Sequence, residues 1–355
     1  MRDPEGRTRV RPPSIRDVAE RAGVSYQTVS RVLNAHPSLR PDTVERVQAA
    51  IQDLGYRPNR AARALVTSRN HTIGVLLSAR ALYGPFSSFI TIVDAARERG
   101  YSVTVTPNAT DDPADIVDGL DALISHGVEG IVAIAPQDSA REAVRQSGAD
   151  VPVLTLQGGP DEALDFGFDQ QEGARLAVRH LLGLGHRRIL HLPGPSGWAE
   201  AEERQRGFES IMRERRLPVL VAPETDWTTD SGYAIALQVL GAHGLGAADR
   251  PTAIFAANDD TAIGVLAAAA DLGLRVPEDL SVVGFDDVPH AKHLRPALTT
   301  VRQDFGELGR RAIAALLDEI EGTVRPVPHP RVLPHLVVRD STAEVTIEER
   351  TARPA

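Results

Sequence analysis

The sequence contains no cysteine. That absence excludes disulfide frameworks, thiolate zinc sites and cysteine nucleophiles together, and it suits a reducing compartment. Long hydrophobic runs are lacking as well. The longest, Ala262 to Ala270, is far short of the roughly 20 residues that a membrane-spanning helix needs. The opening stretch MRDPEGRTRVRPP is charged and proline-containing, with no apolar segment to serve as a signal-peptide core, so a cytoplasmic location is expected. Signatures of the common enzyme classes are also missing: there is no GxGxxG dinucleotide loop, no Walker A loop, no GxSxG and no HExxH. His180, His186 and His191 lie close together, but their six- and five-residue spacings across a glycine turn match no metal-ligand pattern. No catalytic activity, metal or cofactor is expected on these grounds.

What is present is the composition of an ordinary globular protein, 42% hydrophobic and 25% charged, in a 355-residue chain long enough for more than one domain. Its net charge of −9 is unevenly placed. Residues 1–70 carry a balance of +6 and residues 71–355 a balance of −15. A basic head on an acidic body points to an anionic partner such as nucleic acid, although a solvated basic segment would have the same composition.

Periodicity divides the chain in the same place. Residues 1–13 form a polar, flexible arm. Ser14, with Asp17 three residues on, is placed to cap a first helix with Val18, Ala19 and Ala22 on one side. Gly23 makes the turn, a second helix runs from about Ser25 to Leu33, and DTVERVQAAIQDLG supplies a third whose Val44, Val47, Ile51 and Leu54 are spaced to face a core. This three-helix unit spans residues 14–58. The segment 59–70 is either a tether or a short conditional helix. From His71 onward, β-branched runs such as TIGVLL, YSVTVT, GIVAIA, VPVLTL, RRILHL, TAIFAA and LSVVGF alternate with helical stretches. That alternation implies βαβ units and parallel sheets covered on both faces, with room for two sheets and a ligand cleft between them.

The second helix is the most informative stretch. At about 100° per residue, Tyr26, Gln27, Ser30, Arg31 and Asn34 fall in one sector, while Val29, Val32 and Leu33 fall opposite. The polar sector holds side chains that can address base edges, since Gln presents a planar donor–acceptor fork suited to adenine and Arg pairs bidentately with guanine. A helix, a glycine turn and such a second helix form a helix-turn-helix. A helical hairpin with a polar surface is the alternative reading.

Downstream, polar residues stand where strands end. AIFAA leads to Asn258, SVVGF to Asp286 and VPVLTL to Gln157, and in parallel α/β sheets ligands are held just beyond the carboxyl ends of strands. A carboxylate with two amides suits a ring of hydroxyls. Arg204 adds donors from a helix, and Trp227 offers a flat face for a sugar ring. Each has a structural alternative: Asn258 and Asp286 as helix caps, Arg204 as a surface ion pair, Trp227 as core.

SIRDVAERAGVSYQTVSRVLN, followed by LGYRPNRAARAL, resembles the DNA-binding head and hinge of the lactose-repressor (LacI) family, and the string VSYQTVSRV is similar to the family's namesake in particular. The likeness continues in order to about Asp340 through HLLGLGHRRILHLPGP, TDWTTDSGY, AANDDTAIG, SVVGFDD and LTTVRQDF. It implies an all-α helix-turn-helix head and an α/β periplasmic-binding-protein-like core, residues 71–340, of two doubly wound parallel-sheet subdomains. It further implies that Tyr26, Gln27 and Arg31 read bases, while Ser25, Thr28, Ser30 and Asn34 hold phosphates. Residues 59–70 would fold as a hinge helix on DNA, with Leu65 wedged in the minor groove and Asn59 and Ala62 alongside. For Leu65, a buried contact to the core is the alternative. In the cleft the resemblance assigns Arg204, Asn258 and Asp286 to effector hydroxyls and Trp227 and Phe168 to apolar walls. It puts Ser78, Leu82 and Pro85 on the amino-terminal side and Gln303 at the rear.

Two departures stand out. Gln157 occupies a position where the namesake has a cleft aspartate, which removes a charge. The tail 341–355 lacks the namesake's leucine heptads, so a homodimer on a palindromic operator is expected. The implied function is a sugar-responsive repressor that leaves its operator when a galactoside-like saccharide binds the cleft. A family regulator answering to a purine or acting globally with a corepressor is the alternative, and a sugar-binding transport protein a more distant one.

Overall fold

The computed structural model describes residues 13–33, 39–56, 69–78, 82–107, 112–156, 165–241, 250–323 and 330–345. They fall into two compact units that divide between Asn70 and His71.

In the first unit, α1 (Ile15–Ala22) begins with a reciprocal capping box. The Ser14 hydroxyl accepts from the Asp17 amide, and the Asp17 carboxylate accepts from the Ser14 amide at 2.6 Å. Gly23 closes the helix with φ 65°, a left-handed conformation that costs glycine little. Helix α2 (Tyr26–Leu33) and helix α3 (Pro41–Leu54) complete a core of Val18, Ala19, Ala22, Val29, Val47 and Ala50. Ile51 and Leu54 pack at its margin, whereas Val44 is only half-buried and Ala50 takes an inner position.

The second unit holds two sheets. The first comprises β1 (Thr72–Leu77), β2 (Ser102–Pro107), β3 (Gly130–Ile134), β4 (Val153–Leu156) and β5 (Asp165–Phe166), all parallel in the order β2-β1-β3-β4-β5. Its helices are α4 (Tyr83–Glu98), α5 (Pro113–Ser125) and α6 (Asp138–Gln146). The strands of the second sheet alternate with the helices α7 (Gln170–Gly183), α8 (Ala199–Glu214), α9 (Thr229–Leu240) and α10 (Asp259–Asp271). It contains β6 (Ile189–Leu192), β7 (Leu220–Val221), β8 (Ala253–Ala256), β9 (Ser281–Asp286), β10 (Thr299–Arg302) and β11 (His335–Val337). Their order is β11-β10-β9-β8-β6-β7, parallel except for the antiparallel edge strand β11. Strands such as β3, β6, β8 and β9 are buried along their whole length, as sheets covered on both faces require.

The two halves are interleaved. Helix α11 (Phe305–Glu321) follows β10 of the second sheet, yet its Leu308, Ile313 and Leu316 join Ile73, Val75 and Val132 in the core of the first. The chain therefore passes between the halves at residues 167–169, at 303–304 and again before β11. The outer passages are stitched by Asp169 N–H to Val332 O at 3.1 Å and Val332 N–H to Gly167 O at 3.0 Å. Phe168 and Phe305 meet edge to face at 5.2 Å.

Residues 341–345, assigned to a tail by the sequence reading, pack on the second sheet. Ser341 is fully buried and bonded to Val282 and Thr299, and His180 and His186 hold Thr342 and the Ala343 carbonyl. Burial pushes His186 down to about 4, so this contact stays uncharged near neutrality. Among the described residues no helix is long and apolar enough to cross a membrane.

Helices α9 and α10 cross at glycines. A Cβ on Gly264 would lie 2.2 Å from the Thr229 carbonyl oxygen and 2.5 Å from the Tyr233 nitrogen, both backbone atoms that cannot step aside. Gly264→Ala is expected to destabilise the protein by about 1–3 kcal/mol or more through overpacking. Thermal denaturation checks this, with an unchanged melting temperature as the contrary result.

Candidate DNA-reading helix and ligand cleft

Ser25 and Thr28 build the start of α2. The Ser25 hydroxyl accepts from the Thr28 amide at 3.1 Å and lies 2.9 Å from the Thr28 hydroxyl. Val29 is fully buried and Val32 and Leu33 lean on the core, which sets the helix rotation. Tyr26, 48% exposed, Gln27 and Arg31 consequently face outward, with Ser30 half-buried beside them. None of these three outward side chains is engaged in a hydrogen bond or ion pair among the described residues. Asn34, Asn59, Ala62 and Leu65 lie outside the described residues, as does Gln157.

The cleft residues converge on Arg204. This side chain on α8 is 3% exposed and donates to Gln170 Oε1 at 2.9 Å and to the Ala257 carbonyl. Its guanidinium lies 3.9 Å from the Phe285 ring centroid and 5.6 Å from that of Trp227, and 3.5 Å from the Asp286 carboxylate. Gln303 donates to Asp286 at 2.8 Å, and Gln170 donates to Gln303 at 3.0 Å. Asp286 and Asp287 hold φ values of 111° and 55°, unusual for residues with a Cβ. The turn is fixed from below by buried Asp259, which accepts from the Val288 amide at 2.8 Å and the Thr300 hydroxyl at 2.5 Å. Burial first, and the nearby Asp286 charge second, raise Asp259 well above the usual carboxylate range.

Asp286 itself is pushed up to about 7. Burial is the main cause. The attraction of Arg204 opposes it, but the charges of Glu200 and Asp260 reinforce it.

Asn258 does cap α10, its carbonyl accepting from the Thr261 amide at 2.9 Å, and its amide also donates to the Trp227 carbonyl at 3.0 Å. One donor and one lone pair remain on that side chain. Trp227, at φ 70°, is packed so tightly on Gly194 that any Cβ there would lie 2.3 Å from its ring. Trp198 meets it edge to face at 5.8 Å, and Leu82 packs on the same cluster. Ser78, at the end of β1, donates to Gln137 at 3.4 Å, and Gln137 pairs by a β-bridge with Trp198. Pro85 is buried in the first turn of α4. Phe168 lies against Phe305 in the first sheet's core, and Gln170, two residues on, reaches Arg204.

Gln170, Gln137, Trp198, Glu200 and Asp259 also belong to this neighbourhood and were not singled out in the sequence. Gln137 stands three residues past β3, so the rule that selects Asn258 would have found it. The chain has two tryptophans, and both are here. His191 stands apart from the other two histidines, stacked between Phe208 and Phe255, while His186 bonds Thr252 and Ser281.

The chain matches the profile of bacterial regulatory proteins of the lacI family over residues 14–59 and that of the periplasmic binding protein-like domain over residues 178–342. It is 34% identical over 347 residues to the lactose operon repressor of Escherichia coli (strain K12), covering 97% of this chain and 94% of that one. It is 33% identical over 346 residues to the transcriptional repressor PurR of Klebsiella pneumoniae (strain 342), covering 93% and 97%. The lac repressor dimer bound to operator and the anti-inducer ONPF aligns with a TM-score of 0.82 at 34% identity, covering 94% of this chain and 100% of that chain. The complex of the regulator CelR with cellobiose aligns at 0.68 and 30% identity, covering 93% and 99%.

A helix-turn-helix unit with an outward polar face, joined to a two-sheet core with a polar cleft, defines a DNA-binding transcriptional regulator with an effector-binding domain. Sequence identity holds across both parts rather than one. The chain belongs to the lacI family of bacterial transcriptional repressors.

The raised Asp286 carboxylate has a consequence for stability. In the folded protein it keeps its proton up to about 7, against an ordinary 3.8, so its contribution is full below the lower value and lost as pH rises through the higher one. Between about pH 5 and about pH 8 the wild type should lose more thermal stability than Asp286→Asn. Parallel pH profiles of the two would contradict this.

Proposed function

We propose that the protein is a homodimeric, sugar-responsive repressor that occupies a palindromic operator and leaves it when a saccharide, galactoside-like in hydroxyl pattern, binds the cleft. The observation that carries this reading is the constellation of Arg204, Asp286, Gln303 and Asn258 beside Trp227 and Trp198. Charged and amide groups of that kind chelate neighbouring hydroxyls, and an indole face receives the apolar side of a pyranose ring. Ser78, Leu82 and Pro85 would close on the ligand from the first sheet, with Phe168 behind them and Gln157 contributing an uncharged amide.

On the DNA side, Tyr26, Gln27 and Arg31 read base edges, and Ser25, Thr28, Ser30 and Asn34 position the helix on phosphates. Asn59, Ala62 and Leu65 belong to a hinge that orders in the minor groove, where an apolar wedge offsets unstacking by tighter wrapping. Two-fold symmetry of the dimer matches the palindrome. Sugar binding changes the arrangement of the two sheets and separates the hinges. Effector and operator then weaken each other's binding by one common factor.

The relatives named PurR make a purine the competing effector, and the polar, hydroxyl-directed character of the cleft favours the sugar. A thermal-shift screen of monosaccharides, disaccharides and purine bases, followed by operator release with any hit, separates the two. Stabilisation and release by a sugar are expected; stabilisation by purines alone overturns the reading. Gln27→Ala and Arg31→Ala should each cost about 1–3 kcal/mol at particular base pairs and relax specificity there. A uniform loss over all sequences would show that these side chains touch only phosphate.

A further inference from the structure

Three arginines meet at the ends of α7 and α8 that point away from the cleft. Gln170 and Arg204 belong to the cleft network and lie in the first halves of these helices. At 1.5 Å per residue, the last turn of α7 is about 20 Å from Gln170. A cavity of about 310 Å³ opens there, lined by Arg179, Leu182, Gly183, Arg187, Arg215 and Leu217. Its lining holds three guanidinium groups and no carboxylate, in a part of the chain, residues 71–355, whose overall balance is −15. The two helices are locked against each other: a Cβ on Gly207 of α8 would lie 2.5 Å from the Gln171 carbonyl oxygen of α7, and Arg175 donates to Ser210 at 3.1 Å. Their ends therefore keep a fixed spacing.

Arginines at helix ends have an ordinary use, which is to answer the unpaired carbonyls of the last turn. Arg187 has that use, since its Nη1 donates to the Leu182 and His186 carbonyls, each at 2.9 Å. This fixes the guanidinium and leaves Nε and Nη2 to donate elsewhere. Arg179 is answered by Glu172, at 2.6 Å through one nitrogen. Arg215, just past α8, has no side-chain partner among the described residues, and the adjacent Glu214 does not pair with it. One carboxylate thus answers three cations. Two positive charges remain over an apolar floor of Leu182 and Leu217.

Guanidinium forks match phosphate oxygens bidentately. A phosphate monoester carries nearly two negative charges at neutrality and presents its oxygens in three directions, which suits arginines supplied by three separate chain segments. The cavity has the size of a small-molecule site, and its leucines would receive the organic part of the ester. We propose that this cavity is a second ligand site, for a small phosphate monoester, separate from the cleft and independent of what the cleft binds.

Isothermal titration calorimetry on the full-length protein tests this, with glucose 6-phosphate, AMP, inorganic phosphate and sulfate as probes at constant ionic strength. The basic head also attracts anions, so the location is read from variants. Arg215 is exposed and unpaired, so Arg215→Glu is expected to leave the fold and the melting temperature unchanged. Arg97→Glu makes the same change of charge on an exposed arginine of α4. Both esters are expected to bind the wild type more tightly than phosphate or sulfate does. Arg215→Glu should weaken them about tenfold or more, the worth of a hydrogen bond to a charged group, and Arg97→Glu should not. Equal binding of all four anions would mark a site for adventitious ions only and overturn the proposal. An Arg215→Glu protein that binds the esters as the wild type does, or equal losses in the two variants, would overturn it as well.

Discussion

Everything in the ligand core depends on how one buried guanidinium is held. Arg204 cannot reach water, so its charge must be answered by protein groups, and the structure draws those groups from widely separated parts of the chain. Gln170 comes from the first passage between the sheets, the Ala257 carbonyl from the end of β8, and Asp286 from the end of β9. Gln303, on the second passage, completes the ring by bonding both Asp286 and Gln170. The candidate ligand site and the connection between the two sheets are thus one hydrogen-bonded network.

On the proposed function, that identity gives a physical route from the ligand into the first sheet. A ligand that accepts from Arg204 or donates to Asp286 changes the bonds available to Gln170 and Gln303, and these residues sit where the chain passes between the sheets. Helix α11 carries the effect into the first sheet, because it begins directly after Gln303 and packs there along its length. A ligand can shift an arrangement only through a difference in its contacts to the two states. Here the difference would arise at the crossings themselves. The strained Asp286–Asp287 turn, pinned from beneath by Asp259, keeps the carboxylate from relaxing away when its partners move.

Local rules made much of this visible in the sequence. The Ser14/Asp17 box, the Gly23 stop and the rotation of α2 follow from residues within a turn or two of each other, and β-branched runs marked the central strands. Asn258 and Asp286 were legible because strand ends are where parallel sheets hold ligands. The two-residue strands β5 and β7 were too short to carry a pattern. Helix α11 has an ordinary amphipathic sequence, and nothing local says that it packs on the other sheet. Glu200 and Gln170 look like solvated helix residues, and their burial comes from contacts between segments far apart in the chain, such as Gln170 with Arg204 and with Gln303.

The central claim is that ligand binding at Arg204 and Asp286 rearranges the two halves of the core through the crossings. Since the chain has no cysteine, single cysteines placed at exposed Glu98 on α4 and Glu214 on α8 can carry spin labels without background. The distance distribution between them, recorded with and without a saturating sugar, tests the claim directly. A shift of the distribution on adding sugar, abolished by Gln303→Ala in a protein that still binds it, is the predicted result. An unchanged distribution in a protein whose tryptophan fluorescence reports full occupancy would contradict it.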